Sequence, residues 1–388
     1  MKRHDKLAET IPYGTLGILA LESSHSMGEK VNDYIVGWRA KRAKRHAAAS
    51  SFAGYNRESF MIDCACPRFG SGEAKGIIRE SVRGDDLYIL VDVCNYSLTY
   101  SVCGHTNHMS PDDHYQDLKR IIAAVGGKAR RITVIMPFLY ESRQHRRSAR
   151  ESLDCALALQ ELTQMGVESI ITFDAHDPRV QNAIPLKSFE TVQPAYQFIK
   201  ALLKNVPDLK IDTEHLMVIS PDEGAMGRAV YYANVLGIDI GMFYKRRDYS
   251  KIVDGRNPII AHEFLGSDLE GKDVIIIDDM ISSGESMIDV ATERRKANRI
   301  FVAATFGLFT NGMDKFDEAY KNGLITNVLT TNLVYQPEEV LSREYYINVD
   351  MSKYVALLID TLNHDQSISE LLNPAERIHD ILKKYNKE

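Results

Sequence analysis

Six short apolar runs constrain the fold more than any other feature. They are Leu87–Val93 (LYILVDV), Ile132–Met136 (ITVIM), Ser169–Phe173 (SIITF), Leu216–Ser220 (LMVIS), Val274–Ile277 (VIII) and Ile300–Thr305 (IFVAAT). Each is rich in β-branched residues and stops at a polar loop. Between them lie helix-periodic segments such as Ser152–Met165 and Ala225–Leu236. Apolar runs of this length alternating with helices mark strands buried on both faces and joined by helical crossovers. The fold class is therefore α/β, with mainly parallel sheets flanked by helices. The pattern occurs twice, over about Ser81–Ile184 and about Leu216–Val334, which predicts two similar domains joined near Pro185–Pro194. We place them at residues 1–190 and 191–349. A helical segment, residues 350–388, is expected to pack back on the first domain.

Composition removes several function classes. Of the 388 residues, 44% are hydrophobic and 26% charged, as in ordinary globular chains. Lys and Arg number 47 against 53 Asp and Glu, a net charge of −6. So mild an acidity argues against a nucleic-acid-coating protein, which needs a basic face. No segment reaches the ~18 consecutive apolar residues of a membrane span, and the polar start MKRHDKLAETIPYG lacks the core of a signal peptide. The five cysteines, Cys64, Cys66, Cys94, Cys103 and Cys155, are too few and too odd in number for a disulfide framework. The expectation is a cytoplasmic protein with neither nucleic acid nor membrane as partner.

Two stretches of the first half look inserted, one near residues 38–66 and one over 94–114. The first holds the basic run Trp38–His46 (WRAKRAKRH), read as a solvated helix face, with an anion or nucleic-acid patch as the alternative. The second holds Cys94, Cys103, His105, His108 and His114. These could ligate zinc, but CGHTNH lacks the paired spacing of CxxC…CxxC or HExxH. Ordinary loop thiols and imidazoles are the simpler reading.

The sharpest signal is Val274–Ser286, VIIIDDMISSGES. An apolar strand is followed by the adjacent carboxylates Asp278 and Asp279, then by the small-residue loop Ser282, Ser283, Gly284, Glu285 and Ser286, then by a helix over about Glu285–Lys296. Main-chain N–H groups of such a loop at a helix start cradle phosphate. Hydroxyls of Ser283 and Ser286 add donors. Two Asp at the strand tip suit sugar hydroxyls and a divalent cation that prefers oxygen ligands. A strand–turn–helix junction capped by Asp is the structural alternative.

This segment resembles the phosphoribosyl-pyrophosphate motif of type I phosphoribosyltransferase folds. Further blocks occur in order: Phe69–Gly84 (FGSGEAKGIIRESVRG), Pro137–Gln144 (PFLYESRQ), Ile170–His176 (IITFDAH), Ser220–Gly224 (SPDEG) and Lys245–Arg247 (KRR). Together they resemble the ribose-phosphate pyrophosphokinases, over about Gly17–Leu372. The resemblance implies two tandem phosphoribosyltransferase-like domains that bind ATP and ribose 5-phosphate with Mg²⁺. The ribose 1-hydroxyl would attack the β-phosphorus to give AMP and phosphoribosyl pyrophosphate (PRPP).

Residue by residue, the resemblance implies that Phe69, Ser71, Glu73, Arg143 and Gln144 bind ATP, the first three from a loop that reaches a neighbouring subunit. His176 contacts metal and ATP, and Asp222 stands beside a second metal and the ribose. Lys245 and Arg247 are catalytic-loop cations. Asp278, Asp279, Ser282, Ser283, Gly284 and Ser286 hold ribose 5-phosphate. The resemblance also implies a homo-oligomer built from dimers, often hexameric. The residue types suit the chemistry, because pyrophosphoryl transfer needs positioning and charge neutralisation and Arg and Lys supply the charge. Ser282 stands where the family carries a third Asp, Glu285 where it carries Gly, and His145 where it carries an acid. Asp177–Ala183 replaces a Gln, a Gly and two aromatics after His176. Two other readings stay open: a weakly active or non-catalytic paralogue with a regulatory or subunit role, and a phosphoribosyltransferase that consumes PRPP with a base.

Overall fold

The computed structural model describes residues 7–45, 51–247, 259–293 and 296–385. They divide into two compact units. The first holds residues up to Gln193 with Leu333–Tyr335 and Asp350–Asn373, and the second holds Pro194–Asn332, Gln336–Val349 and the chain from Pro374 onward.

Among the described residues the first unit contains nine strands: β1 (Thr15–Ala20), β2 (Cys64–Ala65), β3 (Ile77–Ile78), β4 (Asp85–Leu90), β5 (Thr99–Val102), β6 (His105–His108), β7 (Arg131–Ile135), β8 (Ser169–Phe173) and β9 (Ser188–Val192). Five form a wholly parallel sheet in the order β1-β4-β7-β8-β9. Its interior strands are almost continuously buried, which is why they read as unbroken apolar runs. The remaining four pair as two small antiparallel ribbons, β2 with β3 and β5 with β6.

Helix Pro111–Val125 shows how local sequence fixes such an element. Pro111 opens it where no N–H is needed, and Ser110 and Asp113 close a reciprocal capping box. Gly126 ends it in the left-handed region, at φ 60°.

The basic run is corrected here. Helix His25–Arg45 buries Arg39 and Arg42 at 1% and 4% exposure, leaving Lys41, Lys44 and Arg45 in solvent. His46 lies outside the described residues. The Arg39 Nε donates to Asp360 Oδ1 at 3.0 Å, its Nη2 donates to Asn363 Oδ1 at 2.6 Å, and Arg42 donates to Asp360 Oδ2. The Arg39 guanidinium lies over the rings of Tyr55 and Phe60. Asp360 and Asn363 come from helix Ser352–Asn363, whose opposite faces are also buried. A run of positive charge along a sequence does not reveal a carboxylate some 320 positions away. Removing that carboxylate would strand two buried guanidinium groups, a loss on the order of 3–5 kcal/mol.

The second unit contains β10 (Leu216–Ser220), β11 (Asp239–Arg247), β12 (Ile259–Leu265), β13 (Asp273–Ile281), β14 (Ile300–Gly307), β15 (Asn327–Thr331) and β16 (Tyr346–Val349). They form one sheet in the order β12-β11-β10-β13-β14-β15-β16, parallel except for the β11–β12 pair. Residues of one face of the sheet, among them Met217, Ile276, Val302 and Val328, build a core with Phe316. Helix Ala375–Tyr385 closes the unit, and the Tyr385 hydroxyl lies 2.7 Å from the Pro207 carbonyl. Among the described residues no helix is long and apolar enough to cross a membrane.

Candidate active site

Open parallel sheets bind ligands beyond the C-terminal ends of their strands. In the second unit, β10 leads into Ser220–Gly224 and β13 into Ser282–Ser286, so both segments emerge on that edge. Asp222 shapes the first turn. Its Oδ1 accepts the N–H of Gly224 at 2.9 Å and of Ala225 at 3.1 Å, just before helix Met226–Leu236.

Asp278 and Asp279 lie within β13, not beyond it. The parallel ladder with β14 runs on through Asp278↔Ala304 to Ile281↔Gly307, past Ile276 where pairing with β10 ends, so pairing outlasts the apolar run. Asp279 is buried at 3% exposure, and its N–H donates to Asp278 Oδ1 at 2.8 Å. Burial, then the neighbouring Asp279 charge and the Asp222 charge, push the Asp278 carboxyl well above the ordinary carboxylate range. Three carboxylates from two strand ends thus share one electrostatic neighbourhood.

The loop after β13 turns sharply at Gly284, where φ is +80° and an added Cβ would meet the buried Phe316 ring at 2.4 Å. Only glycine fits there. Helix Glu285–Glu293 follows. The Glu285 carboxylate faces Lys315, whose Nζ is 2.6 Å from Oε1 in an exposed pair.

Lys245 and Arg247 differ from the expected loop placement in their main chain only. They lie on β11, paired antiparallel with β12 through Lys245↔His262 and Arg247↔Ile259, with a register shift between Arg246 and Arg247. The loop placement came from the family resemblance, and here a partner strand satisfies the main chain of these positions. Their side chains, and residues 248–258, lie outside the described structure.

In the first unit, Phe69–Glu73 forms the turn of the β2–β3 ribbon. The Phe69 N–H donates to the Glu73 carbonyl at 2.7 Å and the Ser71 hydroxyl to the Glu73 carboxylate at 2.8 Å; Phe69 itself is half exposed. Arg143 is exposed, and Gln144 Nε2 donates to the Ser152 carbonyl at 2.8 Å. His176 follows β8 after Asp174, a non-glycine residue at φ 40°.

His145 and Asp177, two of the departures from the family pattern, are in contact. The His145 Nε2 is 3.5 Å from Asp177 Oδ2, and the His145 and His176 ring centroids are 5.4 Å apart. The Arg179 guanidinium holds the Asp177 carboxyl down, at about 2. Sequence reasoning missed this cluster. Its signal was that two positions depart from pattern together. It also missed Arg228, whose Nη2 is 3.7 Å from Asp279 Oδ2; a lone cation near the start of helix Met226–Leu236 carries little signal.

The inserted Cys and His residues do not converge. Cys103 occupies a hairpin turn, His108 Nδ1 lies 2.9 Å from the Tyr96 carbonyl, and buried His114 spends Nε2 on the Asn95 carbonyl at 2.8 Å. Among the described residues no three His, Cys, Asp or Glu side chains are placed to hold a metal ion, and all five cysteines are free.

Residues 16–166 match the model of the N-terminal domain of ribose phosphate pyrophosphokinase, and residues 186–322 match that of the phosphoribosyl transferase domain. A ribose-phosphate pyrophosphokinase of Mycoplasma genitalium is 30% identical over 277 residues, covering 70% of this chain and 75% of that one. The chain belongs to the ribose-phosphate pyrophosphokinase family. A second member, from Vibrio parahaemolyticus, is 29% identical over 318 residues, covering 80% of this chain and 91% of its own. The crystal structure of phosphoribosylpyrophosphate synthetase from Mycobacterium smegmatis superposes with a TM-score of 0.70 at 19% identity, covering 90% of this chain and 99% of that one. That likeness establishes the fold, two phosphoribosyltransferase-type domains with parallel sheets between helices. The family is one of diphosphotransferases that serve nucleotide biosynthesis.

Proposed function

We propose that the protein is a Mg²⁺-dependent ribose-phosphate diphosphokinase. The observation that carries this reading is the order of the two family matches, the pyrophosphokinase-specific domain preceding the phosphoribosyl transferase domain. A transferase that consumes PRPP needs only the second, and leaves Arg143, Gln144 and His176 without a task.

In this reading Phe69, Ser71, Glu73, Arg143 and Gln144 bind ATP. Asp278 and Asp279 hold the ribose, and Ser282, Ser283, Gly284 and Ser286 hold its 5-phosphate. The ribose 1-hydroxyl oxygen bonds to the β-phosphorus as the bond to the α,β-bridging oxygen breaks. AMP leaves with that oxygen, and the hydroxyl proton is released. Lys245 and Arg247 neutralise charge that grows on the transferring group.

The donor set fits Mg²⁺, for hard carboxylate oxygens are its protein ligands and it takes much of its shell from phosphate and water. His176 would contact one ion, and Asp222 would stand beside a second with the ribose. Bound with ATP, the ion supplies charge neutralisation on the phosphate oxygens. The pairing of Glu285 with Lys315 supports an active loop, because it offsets a carboxylate near the phosphate. A cytoplasmic location and a dimer-based homo-oligomer belong to the same proposal.

The test is turnover by the purified protein with ATP, ribose 5-phosphate and Mg²⁺. PRPP formation well above background supports the reading. Background rates across Mg²⁺ and inorganic phosphate concentrations favour the non-catalytic paralogue.

A further inference from the structure

We propose that the inserted hairpin β5–β6 is a positioning element that pre-orders the Phe69–Glu73 loop for nucleotide. The inference rests on reading that loop as ATP-binding.

The loop sits on the tip of a ribbon whose paired strands are only two residues each, joined further by a single bridge between Arg68 and Ala74. So short a ribbon does not hold a fixed shape alone. The hairpin supplies what it lacks. The Cys103 N–H donates to the Gly70 carbonyl at 2.8 Å. At Gly72, where φ is +91°, an added Cβ would meet Val102 Cγ2 at 3.0 Å. The Arg68 guanidinium lies over the Tyr100 ring, 4.6 Å from its centroid.

Both partners are then fastened to helix Pro111–Val125. Arg68 Nη2 donates to Asp117 Oδ2 at 2.8 Å, with both side chains nearly buried at 11% and 9% exposure. The Tyr100 hydroxyl donates to Asp113 Oδ1 at 2.9 Å, and Asp113 is already fixed by the capping box. The main chain of Gly76 also runs against the helix, since an added Cβ would meet the Arg120 carbonyl at 2.4 Å. Loop, hairpin and helix close a triangle with Arg68 and Tyr100 at its centre. The hairpin is itself stiff: Cys103 and Gly104 both have positive φ, at 50° and 86°, the two-residue turn that matches strand twist. Ordering the loop beforehand lowers the entropy lost when nucleotide binds. Tyr100 is thus a positioning residue that acts through Arg68.

The experiment compares Tyr100→Leu and Tyr100→Phe with the parent. It measures steady-state kinetics, thermal midpoints, and direct calorimetric binding of a non-hydrolysable ATP analogue with Mg²⁺. Tyr100→Leu is expected to raise the ATP KM and the analogue Kd about tenfold, with kcat and the ribose 5-phosphate KM within about twofold of the parent. Tyr100→Phe, which keeps the ring under Arg68 but loses the bond to Asp113, is expected to fall between the parent and Tyr100→Leu. A folded Tyr100→Leu protein with unchanged ATP KM and Kd overturns the inference alone. So does one in which kcat and both KM values fall away together. A parent that binds no analogue overturns the inference and the reading beneath it.

Discussion

The Arg228 guanidinium stands 3.7 Å from the Asp279 carboxylate, and both side chains are almost wholly buried, at 11% and 4% exposure. A cation therefore faces one member of the acidic pair, while the pair itself keeps the other member hard to ionise. Folding raises the Asp278 pKa above its unfolded value of about 4. Its stabilising contribution is thus full below that value and is lost as pH rises through the raised one. Asp278→Asn mimics the protonated group and keeps Oδ1 as acceptor for the Asp279 N–H. The ligand-free variant should melt about 2–4 °C above the parent at pH 8, the shift that about 1 kcal/mol gives a domain of this size. The difference should shrink toward pH 5. Calorimetric melting across that range checks the sign.

The same substitution is expected to harm function. Asp278→Asn and Asp279→Asn should each lower kcat/KM for ribose 5-phosphate by ~10²-fold or more, the scale of losing one placed polar contact to the reacting sugar. Ser282→Asp should change it only a few-fold, because the loop holds phosphate chiefly by its main chain. A large gain in Ser282→Asp would mean that the natural serine limits the site.

Gly284→Ala places a methyl group 2.4 Å from a Phe316 ring atom at a φ of +80°. We expect ribose 5-phosphate use to collapse and the thermal midpoint to fall. The double variant Gly284→Ala, Phe316→Leu should recover part of the midpoint but little of the activity, because the backbone strain remains. Melting curves and kinetics on both variants separate the two effects.

How legible was all this in the sequence? The strands Ser169–Phe173 and Leu216–Ser220 read off to the residue, because a parallel strand covered on both faces is an unbroken apolar word. The strand Tyr346–Val349 went unseen, being short and only half buried. Asp278 was found through the loop beside it, but its place inside β13 was not, since ladder pairing with Ala304 leaves no local mark. Arg39 and Arg42 were misread as solvated because their partner Asp360 lies far along the chain. Arg228, His145 and Asp177 carry meaning only once folding brings them to Asp279 and His176.

The buried network gives a stability test away from the chemistry. Asp360→Ala leaves Arg39 and Arg42 without their shared carboxylate and should cost about 3–5 kcal/mol. Urea unfolding should show a lower midpoint with the slope unchanged. Activity per folded molecule should stay near the parent value.

Lys245→Ala and Arg247→Ala are expected to lower kcat by ~10²-fold or more while leaving ribose 5-phosphate binding nearly intact. Cations that answer charge appearing in the transition state act on turnover first. A rise in KM at constant kcat for either variant contradicts that role.

The most direct measurement is ³¹P NMR of a reaction containing the purified protein, ATP, ribose 5-phosphate and Mg²⁺. Diphosphoryl transfer predicts AMP and PRPP appearing in equal amounts as ATP disappears, with the new diphosphate on ribose carbon 1. ADP with a ribose bisphosphate, or no product at any Mg²⁺ concentration, would contradict it.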